Sequence, residues 1–314
     1  MHTAGLAHEQ LSGSMVIIEP DESPLLEADD ADNPLAGLPA LFVSHVPCRL
    51  ADLVLPVADL DPVHETFERT PLAAMALVLL LRGSETRTTE QGLLAESLTY
   101  SMLQGGPEFA AWQRTYRPSQ RLAEIGAAVQ ITDDESALTL TLSRPHVHNA
   151  FSRRMRDELS EALITALTDA EQRRVVIRGA GPSFCSGGDL HEFGSFANNA
   201  EAHLVRLTRS PARLMASLSE RVTVLLHGAC MGAGIELPAY ASTVLATRDA
   251  VIALPEIALG LVPGAGGTVS IPRRIGRQRT AWLGLTGARI DAETAHRWGL
   301  VDRIVDEHPA VTTA

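Results

Sequence analysis

The rhythm of apolar and polar positions along this 314-residue chain changes near residue 126. Before that point the spacing is helical. Thr70-Pro71 supplies an N-cap and a first-turn proline for the apolar run Leu72 to Leu81, and Thr88 or Thr89 opens a second helix reaching about Gln104. Leu93, Leu94, Leu98, Met102 and Leu103 recur in it at helical spacing, which predicts one apolar face. Gly105-Gly106-Pro107 ends that helix, and a short piece from Glu108 to Gln113 carries Phe109 and Trp112. A small helical domain is therefore predicted over residues 41–125, its first twenty residues extended or short helical. Nothing in it suggests catalysis: His45 and His64 are isolated, as packed or surface histidines are.

From Ala127 the period becomes two. Ala127 to Thr132 and Ala137 to Leu142 alternate around Asp133-Asp134-Glu135-Ser136, predicting a hairpin. Ser152 then caps a helix with Met155, Leu159, Leu163 and Leu167 on one face, and Arg174 to Ile177 reads as a strand. A glycine-bearing loop from Gly179 to Leu190, a helix from about Ala200 to Leu218 and the strand Val222 to Leu226 follow. Strand, glycine loop and helix recur, which predicts an α/β layer fold over residues 126–314.

Composition narrows the possibilities. The chain is 45% hydrophobic, enough to bury a sizeable core in one large domain or two smaller ones. Seven acidic residues and no base lie between Glu19 and Asp32, so residues 1–40 read as an acidic, disordered tail. The formal net charge of −12, with no compensating basic run, argues against nucleic acid and anionic membrane as partners. Cys48, Cys185 and Cys230 are far apart, giving neither metal spacing nor a disulfide framework. With no signal or transit peptide and no apolar run of membrane-spanning length, the expected location is the cytoplasm.

The chemistry concentrates between Val222 and Gly267. The apolar strand opens into Gly228 and Gly232-Ala233-Gly234, then Glu236, and twenty positions later comes Glu256 in Leu254-Pro255-Glu256, before Pro263-Gly264-Ala265-Gly266-Gly267. Small residues let backbone N–H groups approach a ligand closely, which suits an oxyanion site. Each glutamate taken alone is also compatible with an ordinary first-turn acid favoured by the helix dipole. Gly232-x-Gly234-x-x-Leu237 only echoes a dinucleotide fingerprint, since its third glycine is Leu237. Ser183, Ser186 and His227 form no G-x-S-x-G elbow.

Four ordered motifs carry a family resemblance: Pro145-x-x-Asn149-Ala150, Phe184 through Leu190, Gly228 through Leu237, and Pro255 through Gly267. With Gly284-Leu285-Thr286-Gly287 and Gly299-Leu300-Val301-Asp302, they make residues 127–306 resemble the crotonase (enoyl-CoA hydratase/isomerase) superfamily. The resemblance implies a crotonase-like α/β fold of repeated ββα units in a spiral core, here with an N-terminal helical extension. It implies an acyl-CoA substrate whose thioester oxygen lies between the N–H groups of Gly188 and Ala233, with Glu236 activating water and Glu256 delivering a proton to the α carbon. His146, Asn149, Ala150, Ser186, Gly187, Asp189, Leu190, His191, Gly232 and Gly264 would fall in the CoA and substrate site. No cofactor is implied beyond the coenzyme A of the substrate, and a homo-oligomer, a trimer or a multiple of it, is expected.

The implied reaction is hydration of a 2-enoyl-CoA to a 3-hydroxyacyl-CoA. Isomerase, hydrolase or other enolate chemistry remains open, as does a catalytically weak acyl-CoA-binding or assembly subunit. Two departures from the family pattern stand out: His146 and His191 occupy positions where relatives often carry lysines near the CoA phosphates, and the usual carboxyl-terminal helices are expected to be missing. The amino-terminal helices are expected to dock over the pocket in their place.

Overall fold

A computed structural model of the chain describes residues 13–18, 37–55, 59–118, 126–195 and 198–306. The acidic stretch from Glu19 to Asp32, and Phe196, lie outside the described residues.

The amino-terminal part is not purely helical. Strands β1 (Met15–Ile18), β2 (Leu41–Ser44) and β3 (Leu53–Val54) form a parallel three-stranded sheet, so part of the expected tail is a strand. The physical reason lies in β2, which is buried on both faces: Leu41 and Val43 pack with the following helices, Phe42 with Val16, Ile18 and Leu50. Helices α1 (Asp61–Arg69), α2 (Pro71–Arg82), α3 (Thr89–Gln104) and α4 (Pro107–Thr115) follow. Thr88 and Gln91 cap α3 reciprocally, whereas Thr70 makes no side-chain cap at α2. The N-terminus of α2 is capped from afar, by Glu108 Oε1 and Oε2, which accept from the N–H groups of Leu72 (2.7 Å) and Ala73 (3.0 Å).

The apolar face expected on α3 divides. Leu93 and Leu103 are buried, but Leu94, Leu98 and Met102 are exposed. The inward stripe is Leu93, Glu96, Ser97, Tyr100 and Leu103, one helical face with two polar residues in its middle.

The catalytic-type half begins with the hairpin of β4 (Val129–Asp133) and β5 (Ala137–Leu142), then α5 (Arg153–Leu167) and β6 (Arg174–Gly179). Ser152 caps α5 as expected, its Oγ accepting from Met155 N–H at 3.2 Å, but Leu167, the last residue of the helix, is exposed. The single helix expected near 200–218 is two, α6 (Asn199–Thr208) and α7 (Pro211–Leu218), because Pro211 cannot continue α6 and Ser210 caps the new start. Then come β7 (Val222–Leu226), β8 (Ala229–Met231), the one-turn helix α8 (Ala233–Glu236), β9 (Thr243–Thr247) and β10 (Val251–Ala253). Helices α9 (Gly267–Ile275) and α10 (Arg277–Thr286), strand β11 (Ile290–Asp291), helix α11 (Ala292–Trp298) and strand β12 (Arg303–Val305) complete it.

Six strands pair in the order β12-β9-β7-β6-β5-β4, parallel except for the β4-β5 hairpin, and β11-β10-β8 form a second sheet. This is a layered α/β architecture of the kind the sequence pattern predicts, with the loop after β6 meeting β8 where Cys185 bridges Cys230.

The two halves share one core. Leu77 of α2 and Phe109 of α4 pack with Ile257, Leu261, Ala281 and Leu285. Contact is close enough to require glycine: a Cβ on Gly284 would lie 2.7 Å from Leu77 Cδ2, and one on Gly92 of α3 would lie 2.7 Å from Val269 Cγ2. Polar ties reinforce it. Asp52 accepts from Arg82 Nε (2.9 Å) and Nη2 (2.6 Å), and Arg277 lies 3.5 Å away. Leu77→Ala is therefore expected to cost about 2–5 kcal/mol, the range for deleting a buried leucine side chain. Denaturant titration should show one cooperative transition shifted as a whole; two transitions with only the first moving would mean that the amino-terminal part folds apart.

Candidate active site

The site is built where backbone ladders continue past the ends of the sheets. Phe151 bridges Gly188, with Phe151 N–H donating to Gly187 O (2.7 Å) and Asp189 N–H to Phe151 O (3.1 Å). Cys185 bridges Cys230, and Gly232 N–H donates to Ala253 O (3.0 Å). These bridges align the loop after β6 with the turn between β8 and α8, and so bring Gly188 beside Ala233. Among the described residues the N–H groups of both are left out of the backbone pairing. Both residues line a cavity of about 170 Å³, together with Glu236, Glu256, Asp189 and Gly264.

Glu236 ends α8 and is almost wholly buried. Its Oε2 accepts from Ala265 N–H (2.7 Å) and Gly267 N–H (2.9 Å) at the start of α9. Glu256 opens the 3-10 turn Glu256–Leu259, and its Oε2 is buried with no hydrogen-bond partner among the described residues. The two carboxylates converge over Gly232, whose φ is +48°. A Cβ there would collide with Glu256 Oε1 and lie 3.7 Å from Glu236 Oε1, so only glycine fits.

Burial pushes the Glu256 carboxyl up to about 8, and the charge of Glu96 adds to this. Burial, then Glu256, then Glu96 push Glu236 well up as well, against the pull of its two N–H donors. Glu236 accepts two backbone N–H groups that favour its ionised form, and Glu256 has one such backbone hydrogen bond, from its own N–H, so both carboxyls are held up by burial and share protons as a coupled pair.

Glu96 has no counterpart in the sequence expectations. It projects from the inward face of α3, 2% exposed, with Oε1 accepting from Gly266 N–H (2.7 Å) and Oε2 from Thr268 N–H (2.9 Å) and Thr268 Oγ1 (2.7 Å). The four successive N–H groups of residues 265–268 thus go alternately to Glu236 and Glu96. Burial raises its carboxyl to about 7. The signal was its place in the chain, three after Leu93 and four before Tyr100, on the stripe that faces inward. Tyr100 and Gln104 of the same helix also line the cavity, as do Arg153, Arg156 and Arg206.

The other expected residues divide between wall and scaffold. Gly264 packs under the Tyr100 ring, a Cβ there lying 2.5 Å from its Cε2. Asp189 is committed to Arg144 Nη2 at 3.1 Å and to His191 Nδ1 at 3.2 Å. Asn149, with φ +52°, has its side chain fully used inside the loop: Oδ1 accepts from Arg144 N–H (2.7 Å), and Nδ2 donates to Ala180 O (2.9 Å) and Ser183 O (2.8 Å). Ala150 accepts from Arg144 Nη1 through its carbonyl. Ser186 N–H donates to His148 O, and Gly187, with φ +96°, holds the turn. Asp189 and Gly264 line the cavity, whereas Asn149, Ala150, Ser186, Gly187, Leu190, His146, His191 and Gly232 do not. The Nε2 of His146 is buried with no hydrogen-bond partner among the described residues. All three cysteines are buried, and burial pushes the Cys185 thiol up to about 12, which makes it inert.

Residues 132–314 match the family model described as enoyl-CoA hydratase/isomerase. The chain belongs to that family. The enzyme is 34% identical over 185 residues to 1,2-epoxyphenylacetyl-CoA isomerase of Escherichia coli K12, covering 58% of this chain and 71% of that protein. It is also 34% identical over 177 residues to a probable enoyl-CoA hydratase of Bacillus subtilis, covering 55% and 67%. The crystal structure of enoyl-CoA hydratase from Thermoplasma volcanium superposes with a TM-score of 0.54 at 35% identity, over 58% of this chain and 73% of that one. Relatives named for isomerisation and for hydration are thus equally similar. Helix α3 and Glu96 lie outside the matched region. Among the described residues no helix is long and apolar enough to cross a membrane, and no group of histidine, cysteine and acidic side chains could hold a metal ion.

A raised carboxyl also carries a stability signature. Glu256 binds its proton more tightly in the folded protein, so the stabilisation is complete below about pH 4.5, its ordinary value, and is lost as pH rises through about 8. Glu256→Gln removes that loss. Its melting temperature is expected to match wild type near about pH 5 and to exceed it near about pH 9, as read by thermal unfolding across the range.

Proposed function

We propose that the enzyme hydrates a 2-enoyl-CoA to the 3-hydroxyacyl-CoA through a thioester enolate. The observation that carries this reading is the convergence of two buried carboxyls over Gly232, next to the N–H groups of Gly188 and Ala233. Glu236, reacting in the ionised form that its two backbone donors favour, takes a proton from water as the water oxygen bonds to the β carbon. The electron pair of the carbon–carbon double bond moves toward the thioester, and the developing oxyanion is held by the two N–H groups. Collapse of the enolate takes the proton of Glu256 onto the α carbon. Preorganised N–H donors are worth about 3–4 kcal/mol each in such steps. Coenzyme A enters as part of the substrate, and the reaction requires no metal or redox group.

Isomerisation of the double bond is the second reading. It is favoured by the free Oε2 of Glu256, since one carboxyl suffices to carry a proton between two carbons of the same enolate. Tyr100 and Gln104 on the cavity wall give the amino-terminal helices a part in closing the site from bulk water, which strengthens every electrostatic interaction within it.

Glu236→Gln and Glu256→Gln are each expected to lower kcat for hydration of a short 2-enoyl-CoA by about 10²- to 10⁴-fold. Stopped absorbance assays of the thioester-conjugated double bond read this directly. Hydration lost in Glu256→Gln alone, with Glu236→Gln at the wild-type rate, would favour the isomerase reading.

A further inference from the structure

The loop from Ala265 to Thr268 is gripped from two sides. Glu236 holds the first and third N–H groups from the family-type half; Glu96 holds the second and fourth from α3. Gly266, the N-cap of α9, has φ +98° and no side chain, so the helix start cannot cap itself. Neither carboxylate can shift without disturbing N–H groups adjacent to those of the other.

We propose that Glu96 is a positioning residue for the Glu236–Glu256 pair: it fixes the loop that orients Glu236, and it adds a third buried carboxylate to the set that shares protons across the site. This rests on the proposed acid–base function and places part of the chemistry in the amino-terminal segment, outside the family match. The groups facing Glu96 are few. Arg206 of α6 lies over the Tyr100 ring at 4.7 Å and is held by Ser97, Ser101 and Gln104 of α3; among the described residues it makes no ion pair with Glu96. Tyr100 and Tyr240 are neutral, both pushed up by burial, and Tyr240 donates to Gly266 O at 3.0 Å. The charge on Glu96 also acts on Arg206 and Tyr240, but neither titrates in the working range, so its effect on proton sharing falls on Glu236 and Glu256, both of which it raises. Removing it lowers both: Glu236 ionises at lower pH as base, and Glu256 loses its proton at lower pH as acid.

The test follows protonated carboxyls by infrared spectroscopy against pH in wild type, Glu96→Gln and Glu96→Asp, with turnover of a 2-enoyl-CoA recorded over the same range. In Glu96→Gln the last carboxyl to ionise is expected to do so about one pH unit lower, with both limbs of the kcat/KM profile moving the same way. Glu96→Asp keeps the charge and should retain the wild-type midpoint. A folded Glu96→Gln protein with unmoved midpoint and limbs, whatever its absolute rate, would overturn the assignment. Glu108→Gln, which loosens the cap of α2 without altering charge at the site, should leave both in place. If Glu96→Gln does not fold, Thr268→Val carries the test: losing the hydroxyl that favours ionised Glu96 should move the titration of the buried carboxyls up rather than down, and an unmoved titration overturns the proposal. Because the infrared midpoint needs no turnover, a wild-type protein that fails to hydrate would refute the function while leaving the role of Glu96 to be judged on its own.

Discussion

The start of helix α9 is the constraint on which the site depends. A helix leaves its first N–H groups without internal partners, and burying them unmet costs roughly 1–3 kcal/mol apiece. Here Gly266 stands at the cap position, and the requirement is met by carboxylates from α8 and α3. The same hydrogen bonds that satisfy the helix favour the ionised form of Glu236, against the burial that opposes it. In the proposed reaction, folding and catalysis draw on one set of N–H groups.

From this follows the relation between the halves of the molecule. Helix α3 must approach closely enough for Glu96 to reach Thr268, so Gly92 meets Val269 and Tyr100 covers Gly264 without an intervening Cβ. The apolar side of α2 and the ring of Phe109 then complete a shared core around Ile257 and Leu261, next to the turn that carries Glu256. The amino-terminal segment is in this sense part of the active-site wall.

Much of this was legible in the sequence. Alternation located the β4-β5 hairpin, capping residues located α3 and α5, and the glycine loops with Glu236 and Glu256 marked the site because close backbone approach needs small residues. What escaped had physical causes. β1 and β2 are short and lack alternation because β2 is buried on both faces. Pro211 splits one expected helix into two. On α3 the more numerous leucines drew the inward face to the wrong stripe, since the true one carries Glu96 and Ser97, whose burial depends on partners more than 100 residues away in the chain. Asn149 and Asp189 lie in the right motifs, yet their side chains serve the loop through Arg144.

The proposed addition of water across an enoyl thioester by two carboxyls, through an enolate, leaves an isotopic record. Incubating the protein with a short 2-enoyl-CoA in a mixture of oxygen-18 water and deuterium oxide, followed by mass spectrometry, tests it most directly. The expected product is a 3-hydroxyacyl-CoA bearing heavy oxygen at the β carbon and one deuterium at the α carbon. Recovery of an unhydrated thioester with a shifted double bond and no heavy oxygen would contradict it.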